Sequence, residues 1–292
     1  MPSAEPTPPI DHDALSGSLS EAPYTRTLGL RVETIEEGRV RVALPFAEGN
    51  SNPGGVLHGG VAASLLAIGS CAVARTVLPS DSGPWTLGQL QVNYLSAAKE
   101  EDVFAEAQLQ RRGRALCFVE TKVVTGDDRA IAAATAVVRA RFGSEREALP
   151  ATFGDGGENE PGPLAAALEK APFMHRLGMR IEHMLDGRSR VSMKAADAIL
   201  TEDGTIHDGA ILALLDTTGA MASWAENGLG RFKASTASLQ AQALAPPPAG
   251  DVVAYGRVVH RDREMFQAET EVADAATGEV ATRGTVFYRI VE

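Results

Sequence analysis

One carboxylate stands out by its surroundings. Asp216 lies within Ala213-Leu214-Leu215-Asp216-Thr217-Thr218-Gly219 and is the only ionisable side chain between Asp208 and Glu226. A charge in a buried apolar helix is costly unless it is paired or used in chemistry. Two histidine-glycine openings accompany it. Asn52-Pro53-Gly54-Gly55-Val56-Leu57-His58-Gly59-Gly60 leads into an apolar run to Val77, and Ile206-His207-Asp208-Gly209 leads into another from Ala210 to Ala225. A helix starting at such a point offers unpaired backbone N–H groups, and at Gly59 no side chain blocks approach to them. A carboxylate and free N–H donors are what is needed to activate water and to hold an oxyanion.

The elements that would carry these groups are legible from composition. No acidic or basic side chain falls between His58 and Arg75, and the residues there are apolar or small all round. That predicts a helix buried on every side, and roughly 18 residues would span about 27 Å. The two runs are copies of one another. His58 and His207, Leu28-Gly29-Leu30-Arg31-Val32-Glu33 and Leu177-Gly178-Met179-Arg180-Ile181-Glu182, and Glu120-Thr121 and Glu269-Thr270 are all related by an offset of 149 residues. A constant offset over that length indicates duplication of a whole domain, too long a period for a solenoid. The copies differ where chemistry is at stake: Asp216 is matched by Ala67, Gly59 by Asp208 and Asn52 by Thr201. Nine residues turn a helix through about half a circle, so Asp216 faces away from its own His207 and needs a partner from the other copy.

A pass along the chain predicts a flexible tail over 1–20, a first domain over 21–143, a polar linker over 144–164 and a second domain over 165–292. Each domain reads as one long helix and five or more strands, with hairpin signals at Glu37-Gly38 and Arg112-Gly113, an α+β arrangement with an antiparallel sheet. The net charge of −11 argues against a nucleic-acid surface. Cys71 and Cys117 both sit in apolar surroundings and read as buried thiols of a reducing cytoplasm. The amino terminus has no apolar core, so neither a signal peptide nor a membrane span is expected. Nothing in the sequence predicts a metal cluster or a cofactor motif.

Asn52, His58-Gly59-Gly60, Asn93-Tyr94-Leu95, Arg112-Gly113-Arg114 and Phe118-Val119-Glu120 together resemble the hot-dog fold acyl-CoA thioesterases, most closely their phenylacetate-pathway branch. The resemblance covers roughly 21–143 and 165–292. It implies two tandem hot-dog domains, each a sheet wrapped around its helix, paired as an intramolecular pseudo-dimer with the helices antiparallel. It also implies a site shared between the copies. Asp216 would be the general base or nucleophile, Gly59 the oxyanion donor, and Thr236 the hydroxyl on the following strand. Asn52 would hold water or the leaving group, and His58 would act in catalysis or brace the loop. Gly60, Arg112, Gly113, Arg114 and Arg263 would meet the substrate, the arginines through coenzyme A phosphates or simply as solvated turn residues. Thr201, His207, Asp208, Ala67 and Leu87 would form a degenerate second site.

The expected activity is hydrolysis of a small-molecule acyl-CoA thioester to the free acid and coenzyme A, with coenzyme A entering only as part of the substrate. A non-catalytic acyl-CoA binding protein is the alternative, and a hot-dog enoyl-CoA hydratase a further one that the order of His207 and Asp216 argues against. Further pairing of pseudo-dimers into a homo-oligomer is left open.

Overall fold

The structure is a computed structural model that describes residues 11–78, 83–143, 145–153, 159–228 and 233–291. The first domain contains α1 (His12–Glu21), α2 (Pro23–Leu28), β1 (Arg31–Glu36), β2 (Arg39–Leu44), α3 (Gly59–Val77), β3 (Thr86–Tyr94), β4 (Val103–Arg112), β5 (Leu116–Thr125) and β6 (Ala130–Arg139). The second repeats the order with α4 (Ala165–Leu168), α5 (Pro172–Leu177), β7 (Arg180–Leu185), β8 (Arg188–Met193), α6 (Asp208–Asn227), β9 (Lys233–Ala243), β10 (Val252–Arg261), β11 (Met265–Asp274) and β12 (Val280–Val291). The strands form one sheet in the order β1-β2-β4-β5-β6-β3-β9-β12-β11-β10-β8-β7. All its pairings are antiparallel, and the halves join at β3 and β9, where Gln89 faces Gln242 and Asn93 faces Ser238.

The two apolar runs become the two long helices because each is enclosed by its own half of the sheet. Val61, Leu65, Leu66 and Val73 on α3, and Ile211, Leu214 and Leu215 on α6, are 0–2% exposed. By length and composition α3 could cross a membrane, but 89% of its apolar window is buried inside the protein. The helices cross antiparallel near their starts. A Cβ on Gly60 would lie 2.7 Å from that of Ala213, and one on Gly209 would lie 2.9 Å from that of Ser64. Only glycine permits this approach. The crossing is tied by Ser64, whose Oγ accepts from or donates to the Tyr24 hydroxyl at 2.7 Å and reaches the Gly209 carbonyl at 2.9 Å.

Two boundaries differ from the sequence reading. The expected tail over 1–20 contains α1, which buries Leu15 and Leu19 against the core; residues 1–10 lie outside the described residues. The expected linker over 144–164 is docked in its described part. Thr152 and Phe153 donate backbone N–H bonds of 2.7 and 2.9 Å to the buried Glu271, and the Phe153 ring lies 4.1 Å under the Arg257 guanidinium. The segment thereby straps the outer face of the second half of the sheet. The matching face of the first half carries a cavity of about 610 Å³, lined by Arg41, Gln91, Glu106, Lys122 and Thr135 among others.

Candidate active site

The site is built at the start of α3. His58 is its N-cap: Nδ1 accepts the Gly60 N–H at 2.9 Å, and the His58 N–H donates to the Asn50 carbonyl at 3.0 Å. The ring lies against Phe173 at 4.8 Å, and burial holds its pKa down to about 4. A neutral imidazole that accepts at Nδ1 carries its proton on Nε2. His58 therefore fixes the helix entrance through these two bonds. Among the described residues, nothing accepts the Gly59 N–H. It is the first donor of the helix, aligned with the positive end of its dipole.

Asp216 comes to this point from the other domain. Its Oδ2 lies 2.8 Å from where a Cβ on Gly59 would sit, so the absent side chain is what admits the carboxylate. Oδ1 accepts a 2.7 Å bond from the Thr236 hydroxyl. Thr236 faces inward because a bulge at Ala237 shifts the β9–β12 register beside it, pairing Thr236 with Tyr288 and Ser238 with Phe287. Bulges commonly re-aim a side chain in this way. Asp216 is 3% exposed, and burial raises its pKa to about 6 against the lowering effect of the Thr236 bond. Burial disfavours the charged form, so this carboxylate is anionic at neutral pH yet basic enough to take a proton.

The remaining expected residues divide. Asn52 lies in the turn just ahead of His58, with its N–H on the Val56 carbonyl, and its side chain makes no hydrogen bond among the described residues. Gly60 is spent on the helix crossing, and its N–H on His58. Arg112, Gly113 and Arg114 are not brought to Gly59. Their hairpin closes beside Leu109 and Gly38, and Gly38 donates to Thr76 at the far end of α3. That is about 25 Å from Gly59 at 1.5 Å per residue. Arg263 is exposed in the β10–β11 hairpin, whose Arg261 donates to the Glu226 carbonyl near the end of α6. This end is about 15 Å beyond Asp216. The 610 Å³ cavity is formed by residues of the outer sheet face, away from α3 and α6, and belongs to a different surface. Among the described residues no three His, Cys, Asp or Glu side chains group as metal ligands.

The matched second crevice has the same frame with different contents. His207 caps α6, its Nδ1 accepting the Gly209 N–H at 2.9 Å, and burial again holds its pKa near 4. Ala67 and Leu87 stand in for Asp216 and Thr236. The Asp208 carboxylate turns toward β3. Oδ2 accepts the Leu87 N–H at 3.0 Å, and burial raises the Asp208 pKa to about 6. The space left beside it, between Leu87, Ile211, Leu212 and Ala241, is about 10 Å³, room for one water. Thr201 bonds within its own turn, to Thr205 and Asp203.

Two features of the crevice at Gly59 had no place in the expected site. Tyr94 at the end of β3 donates to the Gly59 carbonyl at 3.2 Å, and Tyr288 of β12 accepts from Trp224 Nε1 at 3.3 Å. Burial, with the Asp216 charge adding to it, holds both phenols well above their ordinary pKa. Their counterparts are the apolar Ala243 and Val138. The Tyr94–Ala243 difference is legible in the sequence at the offset of 149, whereas Val138 matches Tyr288 only because β6 and β12 are related by 150.

A twelve-stranded antiparallel sheet around two antiparallel helices, with a glycine helix start facing an acid from the other half, defines a double hot-dog protein. Known proteins agree. The description "Thioesterase superfamily" matches residues 203–281, and a domain of unknown function, DUF4442, matches residues 13–142. A candidate esterase of Halobacterium salinarum is 34% identical over 118 residues, covering 39% of this chain and 78% of its own length. A hot-dog protein of unknown function from Alicyclobacillus acidocaldarius superposes with a TM-score of 0.66 at 17% identity, over 94% of this chain and 98% of that one. Acyl-CoA thioesterase II from Mycobacterium marinum does so with a TM-score of 0.63 at 12% identity, over 89% and 95%. The chain belongs to the hot-dog fold thioesterase superfamily.

Proposed function

We propose that this chain hydrolyses acyl-CoA thioesters at one composite site, formed by the Asn52–Gly59 loop of the first domain and by Asp216 and Thr236 of the second. The observation that carries the proposal is the meeting of Asp216 Oδ2 with Gly59 across the domain boundary, 2.8 Å from the position of the absent Cβ. The thioester carbonyl oxygen takes the Gly59 N–H, whose dipole and freedom from other acceptors suit a developing oxyanion. Asp216, oriented by Thr236, removes a proton from water as it adds to the carbonyl carbon. The tetrahedral intermediate then breaks its C–S bond, and the proton goes to the departing thiolate, giving acid and thiol. Asn52 has the free amide to hold the water or the leaving group. Arg263, on the same side as the far half of α6, is the better placed of the arginines for a coenzyme A phosphate. Gly60, Arg112, Gly113 and Arg114 are left out of the site.

The second crevice takes no part, because its acid and hydroxyl positions are Ala67 and Leu87 and its space is water-sized. Thiol release from a panel running from acetyl-CoA to palmitoyl-CoA, with phenylacetyl-CoA included for the branch resemblance, tests the activity. Turnover of one member with loss in Asp216→Asn supports it. Binding without turnover of any member would favour a non-catalytic acyl-CoA binding protein, and hydration of an enoyl-CoA without thiol release would favour the hydratase.

A further inference from the structure

We infer that Tyr94 is a positioning residue of this site, one that holds the α3 entrance against Asp216 and walls the place where the thioester sits. The inference rests on the thioesterase reading above. Three observations carry it.

The first is contact. The Tyr94 hydroxyl donates to the Gly59 carbonyl at 3.2 Å, and its Cε1 lies 3.6 Å from the point a Gly59 Cβ would occupy. Asp216 Oδ2 lies 2.8 Å from the same point. The phenol ring and the carboxylate therefore flank one small volume above Gly59, and a thioester presented to both Gly59 and Asp216 touches the ring.

The second is placement on rigid elements. β3 is one of the two seam strands, and its end next to Tyr94 is paired on both sides: Asn93 faces Ser238 of β9 and Ala133 of β6. Thr236, which holds Asp216, is on β9 itself. The seam thus supplies one side chain to the carboxylate and one to the glycine. The distance between base and oxyanion donor is set by neighbouring strands of one ladder, not by the helices alone. Small errors in such a distance are costly, because acceleration depends on near-attack geometry.

The third is asymmetry. The residue matched to Tyr94 is Ala243, which lies in the water-sized second crevice and has no hydroxyl. Tyr24 is the contrasting case. Its hydroxyl bonds Ser64 at 2.7 Å and its ring lies 4.8 Å from His207, so it supports the helix crossing and the cap of α6. A tyrosine that is merely structural looks like Tyr24. Tyr94 is directed at Gly59, whose N–H meets no acceptor among the described residues.

The phenol does not act as a base here. Burial and the Asp216 charge hold it protonated through the working range, so it only donates. Its bond fixes the Gly59 carbonyl and, through the first turn, the direction of the N–H one peptide earlier.

The test compares Tyr94→Phe, Tyr94→Ala and Tyr24→Phe with wild type for kcat and KM on the best thioester, with melting temperatures for each. Tyr94→Phe keeps the wall and removes the bond, so kcat falls about five- to tenfold while KM stays within twofold. Tyr94→Ala removes the wall as well, and KM also rises. Tyr24→Phe lowers the melting temperature without changing kcat. Wild-type kcat in Tyr94→Phe, or the same kcat loss in Tyr24→Phe at matched stability, overturns the inference. Asp216→Asn run alongside keeps the two ideas apart: an inactive Asp216→Asn with a fully active Tyr94→Phe removes only Tyr94, whereas an active Asp216→Asn removes the site reading itself.

Discussion

Replacing Asp216 by Asn should make the protein more stable while it removes activity, and the size of the gain should depend on pH. The carboxyl is raised from 3.8 to about 6 by burial, with the Thr236 bond only partly compensating. Below pH 3.8 the group is protonated in both folded and unfolded chains and costs nothing. As pH rises from there the unfolded chain ionises first, so the folded state loses about 1.4 kcal/mol per unit until its own carboxyl ionises near 6. The loss at pH 7.5 is about 3 kcal/mol. Asn is neutral at every pH, fills the same space and keeps an oxygen for the Thr236 hydroxyl, so it escapes this cost. Urea denaturation at pH 7.5 should show Asp216→Asn about 2–3 kcal/mol more stable than wild type, equivalent to roughly 3–5 °C in Tm. At pH 4 the difference should shrink to about 0.5 kcal/mol. A gain that is equal at both pH values, or a variant less stable at pH 7.5, would mean that the carboxylate's charge is satisfied where it sits, and the argument from a strained buried base would fail.

Three further outcomes follow from the same geometry. The pH profile of kcat/KM should fall on the acid side with a limb near pH 6; Asp208→Asn should keep that limb, because the Asp208 carboxyl, though also near 6, faces the other crevice. Gly59→Ala should fold yet lose at least about tenfold in kcat, about 1.4 kcal/mol of barrier, since its Cβ would meet Asp216 Oδ2 at 2.8 Å; activity close to wild type in steady-state hydrolysis would contradict the close approach. The paired variants Asn52→Ala/His58→Ala and Thr201→Ala/His207→Ala, checked for folding by circular dichroism, should differ: the first loses most of the activity and the second keeps most of it, and equal losses would mean that both crevices work.

Much of this was open to a reader of the sequence because burial leaves a strong compositional trace. The unbroken apolar runs after His58 and His207 mark α3 and α6, and the offset of 149 residues carries the assignment from one half to the other. The meeting of Asp216 with Gly59 followed from a half-turn of helix taken together with the antiparallel pairing that the family resemblance implies. Other features depend on partners far along the chain. The strap at Thr152 and Phe153 is bonded to Glu271, more than a hundred residues away, and its own composition looks like any polar linker. α1 was hidden because only Leu15 and Leu19 face inward among Ser, Gly and acidic residues. The turning aside of Asp208 depends on the free Leu87 N–H of β3, and the inward aim of Thr236 on the bulge beside it. The arginine hairpins look like phosphate sites in a one-dimensional reading, but the length of α3 separates Arg112 and Arg114 from the glycine they were meant to serve.

Thiol release from a hydrolysed acyl-CoA, measured side by side for wild type, Asp216→Asn and Asp208→Asn, tests the central claim most directly, since burial raises both carboxyls to about 6 and the two face different crevices. One composite site predicts that Asp216→Asn loses at least about tenfold in kcat and that Asp208→Asn stays within about twofold of wild type. Full turnover by a folded Asp216→Asn, or an equal loss in Asp208→Asn, would contradict it.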